Sequence, residues 1–322
     1  YFAPISHSEF TASINSRCSI QISNLINFCR IVIFLLAFIN FFLLLNRNKD
    51  LLKYIPFLIS LILVVEVFLV YERFFERYSG ISYSRDVGLR AFSGNINITA
   101  FSFLLKLPFL LNTISRIKLN FFIKIFIFSA FTFCLFLLGS RGANLVIIII
   151  LILIILIHLL FKSKSFITNK TILIALAGVF IGGISNYLIF KDNQSLNVIQ
   201  RTSNLDTSST QQRLRFYSAA ISSIKENPIL GVGIGNWKLH ATEYDKPYMI
   251  DYTVPYHVHN DFLQITAEIG IIGFILYFGI VLWIFFLIFQ SIKSREYKDQ
   301  ELFFLVFIGL ISILVFLADS FL

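Results

Sequence analysis

Apolar runs of about twenty residues, the length an α-helix needs to cross a hydrocarbon core, recur eight times in this chain. They fall at roughly 27–46, 51–71, 98–112, 121–139, 143–161, 171–190, 266–290 and 301–320. A 322-residue chain that is 57% hydrophobic and only 14% charged cannot hide so much apolar side chain in one soluble core. The predicted fold class is all-α: a polytopic membrane helical bundle with one large, partly helical loop. Three parts follow: six spans in 1–190, a polar loop in 191–258, and two spans in 259–322. The third run is short and contains Pro108. The chain opens at Tyr1 and stops inside an apolar run at Phe321-Leu322, so it reads as a piece of a longer protein.

The net charge of +9 is a property of the connections between runs. Arg47, Lys49 and Lys53 form one basic set; Arg116 and Lys118 a second; Lys162, Lys164 and Lys170 a third; Lys293, Arg295 and Lys298 a fourth. Each falls after an odd-numbered run, so the positive-inside bias assigns all four to the cytoplasm and sets 72–97 and 191–258 outside. The 72–97 loop carries arginines too, offset by Glu72, Glu76 and Asp86. Basic residues gathered at span ends argue against nucleic acid as the partner and for membrane lipids. Cys18, Cys29 and Cys134 lack metal-ligand spacing and imply no disulfide framework.

This topology brings distant polar islands to one membrane face. Arg141 in GSRGAN (Gly139 to Asn144) opens the fifth run from outside, and His259 opens the seventh. Ser140 and Asn260 are predicted N-caps, so both helices turn N-terminal N–H groups toward the outer face, where an anion fits. Within the loop, 192–212 is polar and predicted flexible. From 213 a short amphipathic helix is predicted over the membrane face. Ser209 and Gln212 have capping-box spacing, Leu214, Tyr217, Ile221 and Ile224 make the apolar stripe, and Asn227-Pro228 ends it. Arg213 and Tyr217 then share one side. Arg215 faces elsewhere, toward solvent or headgroups, and is counted with the substrate-binding candidates.

The run Gly231, Gly233, Gly235 lacks the third glycine of a dinucleotide loop at the right spacing and has no strand before it. It predicts a tight turn that brings backbone close to something else, with N–H groups of Gly231 and Gly233 available to a phosphate. Among five histidines, His259 alone immediately precedes a polar helix start, followed by Asn260, Asp261, Gln264 and Glu268. Glu268 lies at or near membrane depth, where an acid generally faces a partner or cavity. His257 and His259 alone are a weak metal signal, and no metal is assigned.

These residues together carry a resemblance. SRGA (Ser140 to Ala143) opens a span; R-x-x-x-Y leads into NPILGVGIGNW (Arg213 to Trp237); HNDFLQ-x-x-AEIGIIG runs from His259 to Gly273. In order and spacing this resembles the O-antigen ligase and polymerase family, bacterial multi-spanning glycosyltransferases of the GT-C type, from about residue 90 onward. The segment Ser93 to Ala100 is similar in a degenerate form, and Tyr217 stands where a tryptophan is commoner. The resemblance implies an inner-membrane enzyme with its site on the periplasmic face and a donor glycan on undecaprenyl diphosphate. It maps the family's functional arginines onto Arg141 and Arg213 and its functional histidine onto His259.

Transfer from a lipid diphosphate needs an activated hydroxyl and a stabilised leaving group. Arg141 and Arg213 suit the second task, because guanidinium grips phosphate oxygens in pairs, with no cofactor and no divalent metal. His259 suits the first as general base, with Glu268 orienting the ring or the acceptor, and attack from behind inverts the anomeric centre. Ligation of O-antigen to lipid A core is the first reading. Polymerisation onto a growing glycan and transfer to protein remain alternatives. A transporter is the reading from a different class, prompted by Glu66, Lys106 and Lys124 in or near spans and by Gly178, Gly182 and Gly183 in the sixth.

Overall fold

The structure is a computed structural model that describes residues 53–78, 89, 91–92, 95–161, 167–192, 197–203, 208–246, 256–293 and 300–321. The predicted first span at 27–46 lies outside them, as do Cys18, Cys29 and much of the 72–97 loop. Every regular element among the described residues is a helix: α1 (Ile55–Tyr78), α2 (Ile96–Arg116), α3 (Phe121–Leu138), α4 (Arg141–Phe161), α5 (Asn169–Ile189), α6 (Val198–Ser203), α7 (Ser208–Glu226), α8 (Trp237–Asp245), α9 (Asp261–Lys293) and α10 (Gln300–Phe321). Six of them (α1 to α5 and α9) are long and apolar enough to cross a membrane, and α10 adds a shorter apolar stretch, Phe304–Ser320. The protein is a multi-pass helical membrane protein.

Helix ends in this setting must satisfy their own backbone groups. Asn95 accepts from Asn97 N and Ile98 N to start α2, Asn120 from Phe122 N to start α3, and Thr168 from Thr171 N to start α5. Gly139, in the left-handed region at φ 64°, ends α3, and Ser140 then opens α4 with its hydroxyl 3.5 Å from Ala143 N. That last cap matches its expectation. Helix α2, expected over 98–112, passes through Pro108 and runs on to Arg116. An apolar bundle tolerates a proline because its neighbours keep the segment helical.

Small residues let α3 and α5 pack backbone to backbone. A Cβ on Gly182 would collide with Thr132 and the Phe133 nitrogen, and one on Gly178 with the Phe128 ring. Thr132 Oγ1 donates to Gly178 O at 2.7 Å across this seam. The glycines that suggest a broken transport helix therefore serve close packing. Polar side chains pin α1 to its neighbours: Ser60 lies 2.9 Å from Thr113, Lys106 Nζ 2.7 Å from Glu66 Oε2, and Tyr71 Oη donates to Ala130 O at 2.8 Å. Glu66 and Lys106, two of the charges in or near spans, thus neutralise each other. The core is filled by Phe103, Leu107 and Leu111 of α2, Leu135 of α3, Ile147 of α4 and Phe307 of α10. Helix α10 packs against α2, α4 and α9.

Two expectations for the loop are corrected. Part of 192–212 is ordered: α6 starts where Asn186 Oδ1, at the end of α5, accepts from Val198 N at 2.8 Å, and Asn197 Nδ2 donates to Phe190 O. The buried amides of Asn186 and Asn197 hold what the polar composition alone left free. Helix α7 ends at Glu226 as expected but begins earlier, at Ser208, and of the expected stripe only Tyr217 and Ile224 pack inward. Phe216, Ala219, Ala220 and Ser223 are inside, while Leu214 and Ile221 are 61% and 44% exposed. The alanines allow close approach to Trp237 and Ala241 of α8 and Ala267 of α9, and that contact sets the helix's rotation.

The expected span at 266–290 belongs to a longer helix with a break. Asp261 starts α9, and Gly270 interrupts it at φ 68°, ψ −170°. A strap from Pro228 to Asn236 takes over the hydrogen bonds lost there. Val232 N donates to Ala267 O (2.9 Å), Gly233 N to Glu268 O (2.8 Å), and Ile271 N to Pro228 O (2.9 Å). In an unbroken helix Ala267 O and Glu268 O would accept from residues 271 and 272.

Candidate functional site

The site is assembled on the short first piece of α9. Val258 is buried and its N–H donates to Gln264 Oε1 at 3.2 Å; Asn260 is buried and its Oδ1 accepts from Leu263 N at 3.0 Å. Asn260 is therefore the N-cap expected of it. With both neighbours anchored inward, His259 is turned outward in the left-handed region at φ 61°. That is an uncommon conformation for a residue with a Cβ, of a kind that clusters at functional sites.

Helix α7 supports it from the side. Tyr217 Oη donates to His259 O at 3.1 Å, and the Phe216 ring stacks on the imidazole with centroids 6.2 Å apart and planes 14° from parallel. Arg213, one turn earlier, acts on the imidazole electrostatically. Arg213 and Tyr217 thus share the side that faces the histidine, as their spacing predicts. The imidazole's pKa is held below the ordinary 6.5. Part of the ring is open to solvent, yet protein packed around it is the largest cause; the Arg213 guanidinium comes next and His257 adds a third contribution. The result favours a neutral imidazole at neutral pH, able to accept a proton.

Glu268 is buried in a web below the histidine loop. Its Oε2 accepts from Gly235 N (2.9 Å) and its Oε1 from Gln264 Nε2 (3.3 Å). Because Gln264 also accepts from Val258 N, the carboxylate reaches the histidine loop through that amide. The close approach expected of the glycine run is to α9 itself: Gly231 N donates to Asn227 O (3.1 Å) and Gly233 N to Glu268 O, so both N–H groups are engaged within the chain. Arg215 lies half-buried on α7 beside Phe216. Trp237, fully buried, anchors the far end of the strap.

Arg213 and His259 are brought within electrostatic reach of each other. Arg141 is half-exposed at the first residue of α4, and α10 is the element that packs against both α4 and α9. The same helix supplies a contact the sequence did not single out: Ser320 Oγ donates to Asp261 Oδ2 at 3.1 Å, tying the end of α10 to the start of α9. Asp319 and Ser320, polar at the end of an otherwise apolar run, were the available signal. Among the described residues no group of three His, Cys, Asp or Glu side chains is placed to hold a metal ion.

Comparison with known proteins bears on this assembly. A curated protein of Rickettsia conorii (strain ATCC VR-613 / Malish 7), named "Putative polysaccharide ligase", is 40% identical over 80 residues, 23% of this chain and 19% of that relative. The chain therefore spans a minor part of that relative's length. Residues 125–278, which include Arg141, Arg213 and His259, match the family model described as O-antigen ligase. Over residues 125–278 the chain is similar to the O-antigen ligase family, and a protein named as a polysaccharide ligase shares part of its sequence.

Proposed function

We propose that the protein transfers a glycan from undecaprenyl diphosphate to an acceptor hydroxyl at the periplasmic face of the inner membrane, with lipid A core as the first acceptor. The observation that carries this reading is that Arg213 lies one turn from Tyr217, whose hydroxyl bonds the His259 backbone, and within electrostatic reach of the imidazole 46 residues away. His259 Nε2 or Nδ1 takes the acceptor proton as the hydroxyl attacks the anomeric carbon from behind. The bond to the diphosphate breaks and the configuration inverts. Arg213 and Arg141 meet the charge growing on the leaving diphosphate, a role two permanent cations fill without a divalent metal. Asn260 frames the acceptor side, Tyr217 braces the His259 backbone, and Glu268 holds the floor. The basic connections between spans support the orientation, with 191–258 outside as the part that carries the chemistry.

Purified protein in lipid, given a lipid-linked donor and no gradient, tests the reading directly. Loss of a positioned base is worth about 10²- to 10⁴-fold, so His259→Ala should fall by that amount. Removal of one preorganised charge donor is worth about 10²- to 10³-fold, so Arg213→Gln should fall comparably. Near-normal transfer by His259→Ala would remove the base assignment. A deletion strain separates ligation, whose loss leaves polymer on the carrier and bare core, from polymerisation, whose loss leaves core with a single repeat.

A further inference from the structure

We propose that the tip of the strap, Ile229-Leu230 and Ile234, is inserted in the acyl region of the membrane that α9 crosses, so that the His259 site opens at headgroup depth. Three large aliphatic side chains stand 60%, 73% and 78% exposed on this turn. A water-facing surface rarely concentrates so much apolar area at one tip. On the adjoining α7, Leu214 and Ile221 are exposed as well.

The tip is also continuous with the membrane-crossing part of α9. Ile271 N donates to Pro228 O at 2.9 Å, and a Cβ on Gly270 would collide with the Ile229 carbonyl. The strap therefore joins the span at the first residue beyond its break. From there Ile271, Ile272, Ile275 and Leu276 are exposed on α9, the side chains that composition assigns to lipid. Ile229 and Leu230 extend the same surface.

Non-helical backbone is tolerated at membrane depth only when its polar groups are satisfied within the protein. Five of this strap's N–H groups meet that condition, while those of Ile229, Leu230 and Ile234 have no acceptor among the described residues. The N–H groups of Gly231, Val232, Gly233, Gly235 and Asn236 all have acceptors in the strap, at the end of α7 or in α9. Lys225 and Lys238, both exposed, flank the turn, where cations meet anionic headgroups while their stems lie along apolar surface. A bilayer is the occupant that accounts for all three features at once: an apolar tip, continuity with the exposed apolar side of α9 and a cationic rim.

The test uses the full chain in lipid nanodiscs, with Cys18, Cys29 and Cys134 replaced and a single new cysteine labelled with an environment-sensitive nitrobenzoxadiazole dye. Leu230→Cys and Ile234→Cys are compared with Leu276→Cys as the lipid reference and Glu243→Cys, exposed on α8, as the water reference. The expected result is blue-shifted emission at 230 and 234, quenched by spin-labelled lipid to an extent comparable with 276. Emission like that of the Glu243→Cys label at both positions overturns the proposal. A blue shift that spin-labelled lipid does not quench also overturns it; if that shift fades on dilution to one chain per disc, a second copy is the occupant. None of these outcomes depends on glycosyl transfer.

Discussion

The phenol of Tyr217 donates a hydrogen bond to the backbone carbonyl of His259 at 3.1 Å, joining residues 42 positions apart. The bond falls on a peptide whose φ of 61° is sparsely populated for a residue with a Cβ, so an outside contact helps to hold it there. Tyr217→Phe keeps the ring and removes only the donor. A net hydrogen bond is worth about 0.5–1.5 kcal/mol, and each 1.4 kcal/mol is tenfold in rate, so kcat should fall roughly 2- to 10-fold. KM should be nearly unchanged, because the effect acts through the histidine. Steady-state kinetics on Tyr217→Phe and Tyr217→Ala, with the second clearly worse, check this. A KM change alone would move Tyr217 to the substrate side.

The histidine's electrostatics predict a pH profile. The acid limb of kcat/KM, which reports the free enzyme, should have its midpoint below 6.5. Arg213→Gln removes the second-largest cause of the depression, so the limb should shift toward 6.5 while burial keeps it below that value. For stability the sign is equally defined. The folded state disfavours protonation of His259, so between the folded pKa and 6.5 the unfolded chain binds more protons. This group's contribution to stability is therefore full above 6.5 and is lost as pH falls through that window. His259→Gln should flatten that part of the profile.

Gly231 and Gly270 approach each other's segments closely enough that neither tolerates a side chain. Both have positive φ, and a Cβ on Gly231 would strike the Glu268 backbone while one on Gly270 would strike that of Ile229. Gly235 has φ 74° but open space around its Cβ position. Gly235→Ala should therefore cost only the left-handed penalty, about 1–2 kcal/mol. Gly231→Ala and Gly270→Ala should cost more, since backbone must move as well. Thermal unfolding in detergent should rank the three in that order, and equal losses would show that the strap does not lie against the break in α9.

What the sequence revealed and withheld follows from where the information sits. Spans declare themselves through the length of their apolar runs, and caps such as Ser140 and Asn260 through residues next to the helix they start. The pairing of Arg213 with Tyr217 was legible from their spacing. The buried face of α7 was not, because Ala219 and Ala220 carry little hydrophobic signal and are chosen for closeness to Trp237 and Ala267. The break at Gly270 depends on carbonyls taken by a strap some forty residues earlier. No local pattern contains that, nor the bond from Ser320 to Asp261.

The ion pair between Glu66 and Lys106 offers the sharpest stability prediction in the bundle. The two lie 2.7 Å apart between α1 and α2, with Lys106 also 2.5 Å from Ser102 Oγ, inside segments long and apolar enough to cross the membrane. Bringing both charges out of water carries a desolvation cost that their attraction roughly offsets, so the pair itself adds little net stability. Removing one partner is different, because the other is then buried and unpaired. Glu66→Leu should lose about 3–5 kcal/mol, and Lys106→Leu a similar amount. The double replacement Glu66→Leu with Lys106→Leu should recover most of that loss, since two apolar side chains suit the site. A double-mutant cycle on thermal stability measures this coupling. A pair that only joins two helices leaves the chemistry at Arg213 and His259 untouched, so the double variant should transfer glycan at close to the parent rate. A double variant that is stable yet inactive in transfer would instead give these two charges a part in the reaction.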